Sequence, residues 1–194
     1  MSERLGIILV DDQPERAEMV CRRLRAAGYR LLAHLNSAAG LLPQVDRHRP
    51  DMVLIDIESP DRDILESLSF INRHHPTPVA MFSARGDADF ITSAVQAGVS
   101  AYMAEGLSPE RVAPAIEIAM AQFRSYQQLR QSLERTQRQL HERKTIERAK
   151  GLLMAKKRLD EEAAHRTLRN LAMNSNASML DVAEQIINHL QSQP

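Results

Sequence analysis

Two groups of residues in this 194-residue chain have the types and spacing to do chemistry. The first is acidic. Asp11 and Asp12 follow a short apolar run, and Asp56 closes another, within the segment Met-Val-Leu-Ile-Asp-Ile-Glu-Ser-Pro at 52–60. If the two runs are neighbouring strands of a parallel sheet, the three carboxylates converge where the strands end. Mutual repulsion makes such a cluster costly unless a divalent cation or a proton balances it. The chemistry would be a Mg²⁺ site made by Asp11, Asp12 and Asp56, with Asp56 as a phosphoryl acceptor. Ordinary strand-end polarity accounts for any single aspartate, but less well for a pair and a third at this spacing.

The second group is basic. The stretch Arg143–Arg158 carries seven basic residues and one acid, Glu147. At about 100° per residue, Ile146, Ala149, Leu152 and Leu153 share one side of a helix. Arg143, Lys144, Arg148, Lys150, Lys157 and Arg158 fan across the other side, with Gly151 and Met154 inside the basic arc. A charge run is usually solvated surface. Here the excess is of one sign, and a glycine in mid-helix costs about 1 kcal/mol relative to alanine, which calls for a reason. Close approach of another backbone supplies one, and the arc reads as a phosphate-binding face. Arg166 and Arg169 on the following helix extend the basic set.

The elements that position these groups follow from periodicity. Apolar runs at Leu5–Val10, Arg30–Leu35, Met52–Ile55, Val79–Phe82 and Val99–Met103 alternate with helix-period segments at Pro14–Ala27, Ala38–His48, Asp61–His74 and Asp87–Ala97. This alternation predicts a parallel five-stranded sheet with helices on both faces. In a sheet of order 2-1-3-4-5, Asp11, Asp12 and Asp56 meet at the topological switch point. From Glu110 to about Lys157 the pattern becomes one long helix. Tyr126, Leu129, Leu133 and Leu140 follow three- and four-residue steps, with Thr136 at the intervening seam position, a short coiled-coil seam that suggests a homodimer. Asp160 opens a helix running to about Met173, and Ser178 with Asp181 forms a capping box for the last one. The expected domains are 1–125, a linker helix over 110–140 that overlaps both neighbours, and an all-α three-helix unit over 136–194.

Residues 1–125 resemble a CheY-like receiver domain. Asp11 and Asp12 match its acidic pair and Asp56 its phosphorylated aspartate. Ser83 matches the hydroxyl residue after strand four, and Tyr102 the aromatic switch position. The resemblance implies a lysine three residues after that aromatic, followed by proline, but this chain has Glu105-Gly106, and no lysine precedes Lys144. A glutamate in that place adds negative charge to the pocket. It favours a cation and opposes a phosphoryl group, which argues for control by a docked partner rather than by phosphorelay.

Residues 136–190 resemble the ANTAR domain, the RNA-binding output module of the AmiR and NasR antiterminators. The match is carried by Arg143, Ile146, Ala149–Met154, Ala163, Leu168, Arg169, Ala172, Met173 and Asp181–Ala183. With Glu105-Gly106, the whole chain looks most like the NasT-type, nitrate-responsive antiterminators. The resemblance implies binding of paired hairpins in a leader mRNA, exclusion of a terminator hairpin, and restraint by a soluble sensor or inhibitor protein of the NasS kind.

Composition bounds the alternatives. Residues 1–126 hold 13 arginines, no lysine and 17 acids; residues 127–194 hold 12 basic residues against 8 acids. The opposite signs suggest different partners, with a polyanion for the second part. One cysteine, Cys21, excludes an internal disulfide, and no apolar run reaches the ~20 residues of a membrane helix. A soluble, cytoplasmic protein is the expectation. A helix-turn-helix DNA-binding regulator is the competing class, but the last helix, Ser178–His189, has no lysine or arginine. Beyond receiver-type phosphorylation, no nucleophile–base pair or glycine-rich phosphate loop points to an enzyme.

Overall fold

A computed structural model of the chain describes residues 5–58, 60 and 62–191. Two compact units divide it, Met1–Gln127 and Gln128–Pro194.

The first unit alternates β1 (Gly6–Asp11), α1 (Pro14–Ala26), β2 (Arg30–Leu35), α2 (Leu41–His48), β3 (Met52–Asp56), α3 (Arg62–His74), β4 (Val79–Phe82), α4 (Ala88–Gln96) and β5 (Ala101–Met103). Then α5 runs from Val112 to Lys157 and belongs to both units. The five strands are parallel in the order β2-β1-β3-β4-β5, as the alternation predicts.

Period two sorts the strand residues between two cores. Ile7, Leu9, Met52, Leu54, Ala80 and Phe82 face α1 and the first turns of α5. Ile8, Val10, Val53, Ile55, Val79 and Met81 face α2, α3 and α4. The central strands are therefore buried on both sides, which is why they read as continuous apolar runs. Register pairs Asp11 with Asp56 across β1 and β3, bringing the two strand-end carboxylates side by side.

Local chemistry sets the element ends. Asp87 caps α4 by accepting from the Phe90 N–H at 2.9 Å. Gly98 has φ +105, and a Cβ there would come within 2.6 Å of Asn72, so the turn from α4 toward β5 needs glycine. The second helix begins later than its apolar period suggests, at Leu41, because Gly40 precedes it in a left-handed conformation. Asp61, where the sequence opens the third helix, lies outside the described residues.

In the second unit, the end of α5 packs with α6 (Glu161–Ser175) and α7 (Met179–Gln191). Ala149 and Leu153 meet Ala164, Leu168, Ala172, Val182, Ala183, Ile187 and Leu190 in a third core. Asp160 caps α6 by accepting from the Ala163 N–H at 2.7 Å. The capping box is reciprocal: the Asp181 N–H donates to Ser178 Oγ, and the Ser178 N–H donates to Asp181 Oδ2, each at 3.1 Å. Among the described residues, no helix is long and apolar enough to cross a membrane.

Candidate functional site

The β1–β3 register delivers the acidic pocket, and α1 delivers a partner that the sequence reading did not use. Asp11 and Asp56 are each 1% exposed. Arg16, one turn into α1, lies across them. Its Nη2 reaches Asp11 Oδ1 at 2.8 Å and its Nε reaches Asp11 Oδ2 at 3.1 Å, a bidentate fork. The same Nε lies 2.9 Å from Asp56 Oδ2, and Nη2 lies 3.3 Å from Asp12 Oδ1 and from the Asp56 carbonyl oxygen. The signal was present in the spacing. Asp12 and Arg16 stand four apart where Pro14 starts a helix, so the guanidinium turns back onto the strand ends.

Backbone donors complete the pocket. The Leu107 N–H donates to Asp56 Oδ2 at 2.8 Å, the Gln13 N–H to Asp11 Oδ1 at 2.9 Å, and the Glu58 N–H to Asp12 Oδ2 at 3.2 Å. Burial, the largest influence, pushes the Asp56 carboxyl up to about 6; the Leu107 N–H and Arg16 pull it down, while Asp11 and Asp12 push it further up. Burial alone would lower the Arg16 guanidinium's pKa, but the hydrogen bond to Asp11 and the surrounding carboxylates raise it.

Glu105 is not where the sequence reading put it. Its side chain is 67% exposed and pairs with Arg111, away from the aspartates. Like-charge repulsion from two buried carboxylates and an available cation beside α5 account for that choice. The chain segment that does reach Asp56 is the backbone at Leu107. Ser83 is buried; its Oγ donates to the Glu58 carbonyl at 3.4 Å and accepts from the Arg85 N–H at 3.1 Å. The Tyr102 hydroxyl donates to the Arg85 carbonyl, and its ring meets Phe90 edge-on with centroids 6.2 Å apart.

The resemblance to receivers implies Mg²⁺ at this acidic pocket, so the fit matters. Mg²⁺ demands a near-octahedral set of oxygens at about 2.0–2.1 Å. Here both Asp11 oxygens, Asp12 Oδ1 and Asp56 Oδ2 are already turned onto one guanidinium. Among the described residues, no group of three or more His, Cys, Asp or Glu side chains is arranged to hold a metal. The expected Asp11–Asp12–Asp56 metal site is therefore not formed in this arrangement; Arg16 stands in it.

The basic face is built by the last turns of α5. Ala149 and Leu153 point into the third core, so the opposite side of the helix faces solvent. Arg143, Lys144, Arg148, Met154, Lys157 and Arg158 are exposed, as are Arg166 and Arg169 on α6. Gly151 is exposed too, and a Cβ built there would meet nothing within 4 Å. No internal contact requires that glycine. Lys150 departs from the expected set. It is 7% exposed, and its Nζ is held by Glu161 at 2.8 Å and Glu147 at 3.1 Å. It fastens the start of α6 to α5 and presents no free charge to a phosphate. Beside the face, His141, Lys144, Thr145 and Arg148 of α5 and Glu184, Ile187 and Asn188 of α7 line an open groove of about 430 Å³.

Residues 7–117 match the family model described as response regulator receiver domain. The chain belongs to the response regulator receiver family. Residues 134–187 of this response regulator match the ANTAR domain model, so the receiver is joined through α5 to an ANTAR domain. Over 184 residues the regulator is 28% identical to the transcriptional regulatory protein PdtaR of Mycobacterium tuberculosis, covering 95% of this chain and 90% of that one. It is 27% identical to the chemotaxis protein CheY of Listeria monocytogenes over 116 residues, covering 59% of this chain and 98% of CheY. Among solved structures, a CheY-like receiver domain protein from Methanospirillum hungatei superposes with TM-score 0.56 at 19% identity, covering 64% of this chain and 99% of that one. The receiver domain of NarL from Mycobacterium tuberculosis superposes with TM-score 0.54 at 22% identity, covering 60% and 97%. These structures share the receiver fold.

Proposed function

We propose that this response regulator is a non-enzymatic, cytoplasmic transcription antitermination factor. Its ANTAR domain binds paired hairpins in a leader mRNA and keeps the terminator hairpin from forming. The observation that carries this reading is the exposed face of α5, where Arg143, Lys144, Arg148, Lys157 and Arg158 surround an uncovered Gly151 on the side away from the core. Phosphates supply the affinity. No aromatic side chain follows Tyr126, so unstacked loop bases would lie on arginine planes. The last helix, α7, has neither lysine nor arginine, which weighs against a recognition helix in a DNA groove. The Glu105-Gly106 pair, the sequence feature that resembles NasT-type regulators, is what favours nitrate or nitrite assimilation genes as the target. Because Arg16 and the Leu107 N–H both engage Asp56 Oδ2, control by a docked sensor or inhibitor protein of the NasS kind is favoured over phosphorylation.

Gel shifts at fixed salt test the central claim. A two-hairpin leader RNA is expected to bind with low-micromolar or tighter affinity, and duplex DNA of the same length far more weakly. Equal binding to duplex DNA would reject RNA specificity.

The same reading includes a homodimer through α5. Leu129, Leu133 and Leu140 are more than half exposed along its middle, an apolar seam that the described residues leave uncovered. Changing Leu133 and Leu140 together to lysine is expected to convert a dimer to a monomer in light scattering. A dimer that survives the double substitution places the interface elsewhere.

A further inference from the structure

We propose that Arg16 is a tethered substitute for the divalent cation, so that the acidic pocket of this receiver is complete without metal. Asp11, Asp12 and Asp56 bring three carboxylates to one strand-end site, and two of them are 1% exposed. Buried like charges at this spacing require a cation in place. Arg16 is that cation. Its side chain is only 17% exposed, and it contacts all three carboxylates and the Asp56 carbonyl at 2.8–3.3 Å.

The guanidinium suits the position for reasons a lysine does not share. Its planar fork sends Nε and Nη2 to the two oxygens of Asp11 while the same atoms span to Asp56 and Asp12. An ammonium is a point charge and cannot hold that bidentate geometry. Tethering adds to the effect. A free dication must displace a group that α1 holds permanently at high effective concentration, and must also lose its own tightly held waters. The helix start that aims Arg16 is fixed independently, by Pro14 in the first turn and by the burial of Ala17, Val20 and Cys21 against the sheet.

Two consequences follow. The receiver unit neither gains nor loses stability with Mg²⁺, and its pocket carries no information about metal or about donors that need metal to react. This inference concerns the receiver alone, and its test requires no RNA.

The experiment is a Mn²⁺ titration of the full chain followed by electron paramagnetic resonance, paired with melting curves with and without MgCl₂. The wild type is expected to bind no Mn²⁺ at millimolar metal and to melt at the same temperature with and without Mg²⁺. Arg16→Met empties the centre of the cluster. It is expected to melt lower, to gain one Mn²⁺ per chain, and to recover several degrees with Mg²⁺. Adding Asp56→Asn to Arg16→Met should abolish that gain. Arg16→Lys keeps a positive charge without the fork and is expected to bind Mn²⁺, more weakly than Arg16→Met, which preserves the test if Arg16→Met fails to fold. A wild-type chain that binds one Mn²⁺ as tightly as Arg16→Met would overturn the proposal. So would an Arg16→Met chain that folds and binds none, or, where Arg16→Met does not fold, an Arg16→Lys chain that binds none.

Discussion

Reversing the charge of Lys144 and Arg148 together, to glutamate, lowers the affinity for a two-hairpin RNA by about 100-fold or more and flattens its salt dependence by about two phosphate contacts. Both side chains are exposed on α5 and line the groove shared with α7. Neither packs in the third core, so the fold should survive, with unchanged helicity by circular dichroism. Filter binding across a salt series reads both quantities. Lys150→Met is the informative contrast. Lys150 belongs to the same basic run in sequence, but its ammonium is spent on Glu147 and Glu161. Its loss leaves two carboxylates without their partner and lowers the melting temperature of the ANTAR unit by several degrees. The salt slope of RNA binding stays as it was. If Lys150→Met changes the slope as a phosphate contact would, Lys150 leaves its ion pairs on binding and the assignment of the face is wrong.

Asp56→Asn stabilises the protein near neutral pH, and the gain disappears in acid. Burial raises Asp56 from 3.8 to about 6 in the folded chain. A raised carboxylate binds its proton more tightly folded than unfolded. Its stabilising share is thus complete below about pH 4 and is lost as pH climbs through about 6. The fully ionised group then costs up to about 3 kcal/mol. Asparagine carries no charge to desolvate and still offers an oxygen to the Leu107 N–H, while Arg16 keeps Asp11 and Asp12. Some of the gain is offset by the lost Arg16–Asp56 contact. Denaturant melts of both chains at about pH 7 and about pH 5 should show the difference shrinking toward acid. A variant less stable than the wild type at neutral pH would show that Asp56 contributes more through Arg16 than its burial costs.

Much of this architecture can be read from periodicity. β2 and β4 fall on their apolar runs to the residue, and Asp160, Ser178 and Asp181 announce the ends of α6 and α7 through side chains that cap whatever helix follows. These signals are local, so sequence carries them. The pocket was legible only in part. Asp11 and Asp56 are strand ends, and sheet order brings them together. Arg16 and Glu105 are settled by competition for charge in three dimensions. Arg16 lies near enough to neutralise the buried aspartates, whereas Glu105 finds Arg111 and turns outward. Lys150 shows the same limit on the basic helix. Helical spacing places it at the edge of the arc, but its partner Glu161 lies eleven residues on, past the end of α5. No periodicity within one helix reveals a bond to the next.

The confinement of lysine to one stretch, together with the burial of Lys150, gives the two units different susceptibilities to acylation. Every lysine of the chain lies between Lys144 and Lys157. Leaving aside the α-amino group, a reagent or acetyltransferase that attacks amines has no target in the receiver. In the ANTAR unit it meets Lys144 and Lys157 in the open, whereas Lys150 is shielded by its two glutamates. Acetylation removes a positive charge at each site it reaches. A cell that acetylates this protein would therefore erase charge from the face assigned to RNA and leave the arginine-only receiver untouched.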